Sequence, residues 1–143
     1  MITIKKTNSV PKGSNLAIIT EKWKNKPSYN LTNDLAEYIG HQFEDPEKKF
    51  VSINHLGQLV FVVIADPKKD GYPALESLRK NGCSITDAVN ANKGKTVTII
   101  NDALKGSFSW ALAEGMALAN YQFIKHKPGA KKNANTLENI YVV

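Results

Sequence analysis

The groups in this chain that could do chemistry are few and poorly spaced for it. A metal site would need His41, His55 and His126 to converge, yet no two histidines stand at a ligand spacing such as H-x-x-x-H, and each falls at a helix end or in a turn. Cys83 is the only cysteine, which excludes an intrachain disulfide and a cysteine-rich metal centre. It lies inside an amphipathic helical pattern, where a free cysteine reads as a small buried hydrophobe. No serine has the G-x-S-x-G context of a hydrolase nucleophile. The carboxylates Glu44-Asp45 and Asp66 with Asp70 stand beside lysines in loops and read as turn caps or solvated charge. No residue of the chain is expected to be catalytic, to hold a cofactor or to bind a metal.

Composition sets the wider limits. A length of 143 residues suits one domain that holds itself together without cross-links. No apolar run approaches the ~20 residues that cross a bilayer, so no membrane partner is expected. The opening MITIKKTNSV alternates in polarity like a strand and lacks the apolar centre of a secretion signal, so a cytoplasmic location is expected. The formal charge of +6 permits attraction to nucleic acid or another anionic surface. Its lysines, among them Lys5, Lys6, Lys22, Lys24, Lys26, Lys48, Lys49, Lys68 and Lys69, are scattered, with a cluster at Lys125, Lys127, Lys131 and Lys132, and read as solvated surface.

The elements that carry these groups follow in order along the chain. Ile2 to Lys5 and Leu16 to Thr20 form strands around a turn-rich segment with Pro11 and Gly13. A short helix follows, with Asn33 or Asp34 as N-cap, Asp34 and Glu37 spaced as a capping box, and Leu35, Tyr38 and Ile39 on its inner side. Phe50 to Ile53 and Leu59 to Ala65 form a hairpin bent at Leu56-Gly57. The second of these does not alternate, so both of its faces should be buried, and it is expected at the centre of the sheet with helices on both sides. Ala74 to about Asn92 is a long helix with Leu75, Leu78, Cys83, Ile85, Ala88 and Val89 as inward positions. Gly82 is a weak point in it, costing ~1 kcal/mol relative to alanine. Thr96 to Ile100 and Leu137 to Val143 are the last strands. The order β-β-α-β-β-α-β-α-β implies an α/β sandwich with a mixed sheet flanked by helices on both faces.

The stretch Ser107 to Lys127, between those last strands, is a helix with two apolar arcs. Phe108, Leu112, Gly115, Met116, Ala119 and Phe123 form one, and Trp110, Ala117, Tyr121 and Ile124 the other. One arc packs on the sheet. The second is covered either by a neighbouring domain or subunit, or by the loop from Trp23 to Leu31 of this same chain.

Two resemblances arise. Ala88-Val89-Asn90-Ala91-Asn92 resembles the V-N-A-A-N segment of macro domains, which bind ADP-ribose, but it closes a helix and lacks a glycine-rich phosphate loop. The helix motif Ala113, Glu114, Gly115, Ala117, Leu118, Tyr121, Phe123, Lys125 and Lys127 resembles the end of the N-terminal domain of leucyl (cytosol) aminopeptidases. Leu78-Arg79-Lys80-Asn81-Gly82 is similar to that family's L-R-K-x-G, Lys93-Gly94-Lys95-Thr96-Val97 to its K-x-K-x-V type of segment, and Leu137-Glu138 to its closing L-E-x-V strand. Leu59 to Ala65 stands where the family has a V-L-L-V-G-L-G type of strand, and Ile64-Ala65-Asp66-Pro67 departs from its glycines.

The resemblance covers the chain from about Gln58 onward and implies a macro-like three-layer sandwich, residues 1–143 being one non-catalytic domain. The family's catalytic signature N-T-D-A-E-G-R is not found; Ala113-Glu114-Gly115 matches three of its letters without the acting Asp and Arg. The resemblance therefore implies a parent metalloaminopeptidase, a hexamer whose two divalent ions, zinc or manganese, sit in a catalytic C-terminal domain absent from this chain. That catalytic domain and further copies of the chain would be its partners, and Trp110, Ala117, Tyr121 and Ile124 its candidate contact residues. The other reading is a stand-alone macro-like module for an anionic, ADP-ribose-type ligand or nucleic acid.

Overall fold

The element order expected from the sequence is the order observed in the computed structural model, which describes residues 2–103, 105–126 and 136–143, apart from the side chains of residues 28 and 121–126. The chain runs β1 (Thr3–Lys6), β2 (Asn15–Thr20), a 3-10 turn (Pro27–Tyr29), α1 (Asn33–Gln42), β3 (Phe50–His55) and β4 (Gln58–Ile64). It continues through α2 (Tyr72–Ala91), β5 (Thr96–Asn101), α3 (Gly106–His126) and β6 (Asn139–Val142). The six strands form one sheet in the order β1-β6-β5-β2-β4-β3, with every pair parallel except β3 with β4. That antiparallel pair is the expected hairpin. Its turn places Leu56 and Gly57 at φ 52° and 90°, the left-handed region that suits a two-residue hairpin connection. Asn54 Oδ1 accepts the Gly57 N–H at 3.0 Å and steadies the bend.

Side chains alternate across the strands and build two cores. On one face Ala17, Ile19, Phe61, Val63, Val97 and Ile99 pack with Leu78, Ile85 and Val89 of α2 and Phe108, Leu112 and Met116 of α3. On the other, Leu16, Ile18, Val60, Val62 and Ile100 pack with Tyr29 and with Leu35 and Ile39 of α1. The fold is a macro-like α/β sandwich with helices on both faces. β4 is buried on both faces, as its unbroken apolar run requires, but it is not the central strand. The centre is the β5–β2 pair, and β4 lies next to the edge because the hairpin partner β3 fills its outer side.

Three local expectations are corrected. Thr32 caps α1, its hydroxyl accepting the Leu35 N–H at 3.2 Å, while Asp34 sits in the first turn, where the helix dipole favours a negative charge. Ala36 takes the inner side of α1 and Tyr38 is 51% exposed. Cys83 is exposed, and the inward position beside it belongs to Gly82.

That exchange follows from how closely α2 and α3 cross. A Cβ on Gly82 would stand 2.5 Å from the Leu112 carbonyl oxygen and 2.8 Å from the Met116 nitrogen. A Cβ on Gly115 would stand 2.6 Å from Cα of Arg79 and run into the Arg79 carbonyl. Gly82 is therefore a fitted contact, not a weak point. Around it, Thr86 Oγ1 donates to the Met116 carbonyl at 3.1 Å, and Arg79 Nε reaches Glu114 Oε1 at 3.3 Å.

The end of α2 is tied to β6 by Asn90. Its Oδ1 accepts from Thr136 N and Leu137 N, both at 3.0 Å, and its Nδ2 donates to Asn120 Oδ1 at 3.1 Å. α3 is covered by β5 and α2 over a wide arc, including Ala111, Ala113 and Asn120. Trp23, Tyr29 and Leu31 pack into the core on the far side of the sheet, so the loop from Trp23 to Leu31 does not cover α3.

In an open helix, alanine for glycine stabilises by ~1 kcal/mol. Here Gly82→Ala and Gly115→Ala should each destabilise by about 1–3 kcal/mol through overpacking. Gly106→Ala, at a position with open space, should stay within about 0.5 kcal/mol of the parent. Urea unfolding checks all three, and a gain in stability at Gly82 or Gly115 would disprove the close crossing.

Candidate functional site

In an open α/β sheet, ligands bind beyond the carboxyl ends of the parallel strands, where successive connections leave on opposite faces. Here that point lies between β2, whose connection runs to α1 on one face, and β5, whose connection runs to α3 on the other. The chain closes this crevice itself. Asp102, just past β5, donates its N–H to the Ile19 carbonyl at 2.7 Å. Its Oδ2 accepts the Tyr29 hydroxyl and lies 3.5 Å from Lys26 Nζ. Pro27 pre-sets the 3-10 turn that delivers Tyr29, which is 1% exposed. Trp23 stacks on its ring at 5.9 Å and donates its indole N–H to the Ala36 carbonyl at 3.2 Å. Segment 21–26 contains no glycine, and in the connection after β5 the first glycine is Gly106, at the start of α3.

Two clefts flank the closed crevice. One, of about 550 Å³, lies between segment 8–14 and Tyr29-Asn30, over Leu16 and Ile100 with Asp102 at its edge. The other, of about 540 Å³, lies where β4 ends and α2 begins, with Lys49, Lys69, Glu21 and Asp66 around Val63 and Leu78. Lysines that are scattered in sequence gather at this end of the sheet, because Lys22, Lys24, Lys26, Lys48, Lys49, Lys68 and Lys69 all follow a parallel strand or precede β3. Glu21, Glu44, Asp45, Glu47, Asp66, Asp70 and Asp102 stand among them, so among the described residues this end of the sheet has no field of a single sign, while the cluster of Lys125, Lys127, Lys131 and Lys132 lies outside the described side chains.

Among the described residues, those with chemical potential do not converge, and the side chain of His126 lies outside them. His41 pairs with Glu44 at 3.0 Å on the exposed end of α1, and His55 ends β3 at the opposite end of the sheet. Among the described residues no three His, Cys, Asp or Glu side chains group as metal ligands. Although Cys83 is exposed as a residue, its sulfur is partly desolvated beside the Gly115 carbonyl, and this, followed by the charges of Asp87 and Glu76, raises the thiol pKa and disfavours the thiolate. Asp45 and Asp66 cap their own loops, accepting from Glu47 N at 3.0 Å and Lys68 N at 2.9 Å. Asp70 pairs with Lys105 at 2.9 Å, which lowers its pKa. Asn90, from the V-N-A-N segment, is spent on holding β6.

What the structure does present is a face. Trp110 is 47% exposed and Leu118 50%, with Ala117 partly covered between them on α3. The side chains of Tyr121 and Ile124, which complete the expected contact set, lie outside the described residues. No described helix is long and apolar enough to cross a membrane. Behind this face, the two pieces that carried the aminopeptidase resemblance meet: Arg79 and Gly82 of one touch Glu114 and Gly115 of the other.

Burial raises the Tyr29 phenol pKa well above its ordinary value near 10, and the hydrogen bond to Asp102 and its charge act in the same direction. With the folded pKa above the unfolded one, Tyr29's contribution is complete below about pH 10 and is lost as pH rises through the folded value. Tyr29→Phe should cost about 1–2 kcal/mol at pH 7. The gap to the parent should narrow above about pH 10, as chemical unfolding across pH 7–11 would reveal; a constant gap would contradict this reading.

No protein-family model and no curated protein matches the sequence. Among solved structures, a mutant of tomato leucine aminopeptidase superposes with a TM-score of 0.64 at 18% identity, over 99% of this chain and 32% of that one. An Oceanobacillus iheyensis macrodomain mutant superposes at 0.59 and 7% identity, over 97% of this chain and 82% of that one. A second mutant of that macrodomain, with ADPR, gives 0.53 at 10% identity over 98% and 82%. The chain thus spans about a third of the aminopeptidase chain and most of the macrodomain, and at these identities what is shared is the fold.

Proposed function

We propose that this chain is the non-catalytic N-terminal domain of a di-metal leucyl aminopeptidase, acting in assembly and in access to the active site. The observation that carries the reading is the α2–α3 crossing. The residues resembling the aminopeptidase motifs are the ones that space at the crossing demands, and the helix they fix carries the exposed Trp110 and Leu118. Ligand recognition by a macro-like module would use the β2–β5 crevice, which Tyr29, Asp102 and Lys26 occupy.

In this reading the parent hydrolyses N-terminal amino acids from peptides, and the two metal ions of its catalytic domain activate the attacking water. This chain contributes packing surface. Trp110, Ala117, Tyr121 and Ile124 contact the catalytic domain or a neighbouring copy in the hexamer. A half-exposed tryptophan suits the role, because aromatic anchors dominate interface energetics.

The purified chain should hydrolyse no leucine anilide with zinc or manganese present. It should associate with a leucyl aminopeptidase catalytic domain, and Trp110→Glu should weaken that association at least about tenfold without altering the circular dichroism spectrum. Turnover by the chain alone would refute the reading. Saturable calorimetric binding of ADP-ribose, with no association, would favour the ligand-binding module instead.

A further inference from the structure

Ser109 stands one turn into α3 and is 4% exposed, yet its hydroxyl has no hydrogen-bond partner among the described residues. A buried hydroxyl left unpaired is costly and asks for a ligand. Ser109 lines a shallow cavity of about 270 Å³ at the carboxyl ends of β5, β6 and β1, with Lys6, Asn101, Lys105, Gly106 and Trp110 around it and Val142 and Val143 on the strand side. The cavity opens toward β6 and β1, away from the closed crevice between β5 and β2.

The polar groups there differ in availability. Asn101 is committed, its Nδ2 donating to the Lys105 carbonyl at 2.6 Å and its Oδ1 accepting from Ala103 N at 3.1 Å. Lys105 is held by Asp70 at 2.9 Å. Lys6 makes no ion pair among the described residues and is the free cation. The N-terminus of the 21-residue helix α3 adds positive potential and backbone donors at Gly106. Apart from the backbone end of Val143, the available groups are donors or a positive charge, and beside them lie the half-exposed ring of Trp110 and the apolar side chain of Val142.

We propose that this cavity binds a small oxyanion, the carboxylate of an apolar organic acid, with its oxygens on the Ser109 hydroxyl, the Lys6 ammonium and the first amides of α3, and its body against Trp110. The site does not depend on the chain being an aminopeptidase domain. A phosphate offers the same acceptor oxygens without an apolar body, so comparing the two separates the sources.

The full chain, labelled for amide NMR, is titrated with benzoate and separately with inorganic phosphate at constant ionic strength. The expected result is saturable shifts at the Gly106 amide and the Trp110 indole, with benzoate tighter than phosphate. Ser109→Ala and Lys6→Gln should each weaken benzoate about fivefold while leaving distant resonances in place. Should Ser109→Ala disturb the fold, the surface change at Lys6 keeps the test intact. Phosphate binding the tighter would overturn the apolar-acid assignment. No saturable shift, or shifts indifferent to both variants, would overturn the site.

Discussion

Everything on one side of the sheet depends on two helices coming close enough that their backbones touch. Gly82 and Gly115 make that approach possible, each facing the other helix where a methyl group would meet backbone atoms. The cost of two glycines in helix interiors is repaid by the apolar surface that α2 and α3 bury together against β2, β4 and β5. The same closeness lets Thr86 reach the Met116 carbonyl and Arg79 reach Glu114. It also leaves Cys83 at the rim of the crossing, its thiol 3.7 Å from the Gly115 carbonyl, while Gly82 takes the inward position.

The opposite side is organised by a polar contact. Tyr29 and Asp102 come from segments 73 residues apart and meet at the place where the sheet's connections diverge. In sheets of this topology that place is the natural ligand crevice. Filling it with a buried phenol, a carboxylate and the Lys26 ammonium converts a binding position into a structural joint between β5 and the turn before α1. The aminopeptidase-like and macrodomain-like readings share a fold and part company on how this end of the sheet is used.

Much of the fold could be read from sequence because its signals are local. Pro11 with Gly13, Asp45-Pro46, Leu56-Gly57 and Gly94 punctuate the strands and helices, and the run from Leu59 to Ala65 announced burial on both faces. What was not legible depends on distant pairing. Whether β4 or the β5–β2 pair is central is decided by strand order, which no local pattern encodes. Gly82 looked like a defect because its reason, the Leu112 carbonyl, lies thirty residues further along the chain. The Tyr29–Asp102 joint had no signal at all, since neither residue stands in a motif. The lysines at the strand ends looked scattered for the same reason. Trp110 is half-exposed on α3, at a position that helical periodicity places on a second apolar arc, and what would cover it lies beyond periodicity.

On the proposed reading, this domain works through the outer face of α3 and not through the carboxyl ends of β2 and β5. Amide hydrogen exchange, followed with and without a leucyl aminopeptidase catalytic domain and with and without ADP-ribose, tests it most directly. The expected result is slowed exchange across Trp110 to Leu118 when the catalytic domain is added, and no change in segments 21–26 and 102–105 with ADP-ribose. Protection of those two segments by ADP-ribose, with α3 unaffected by the catalytic domain, would contradict it.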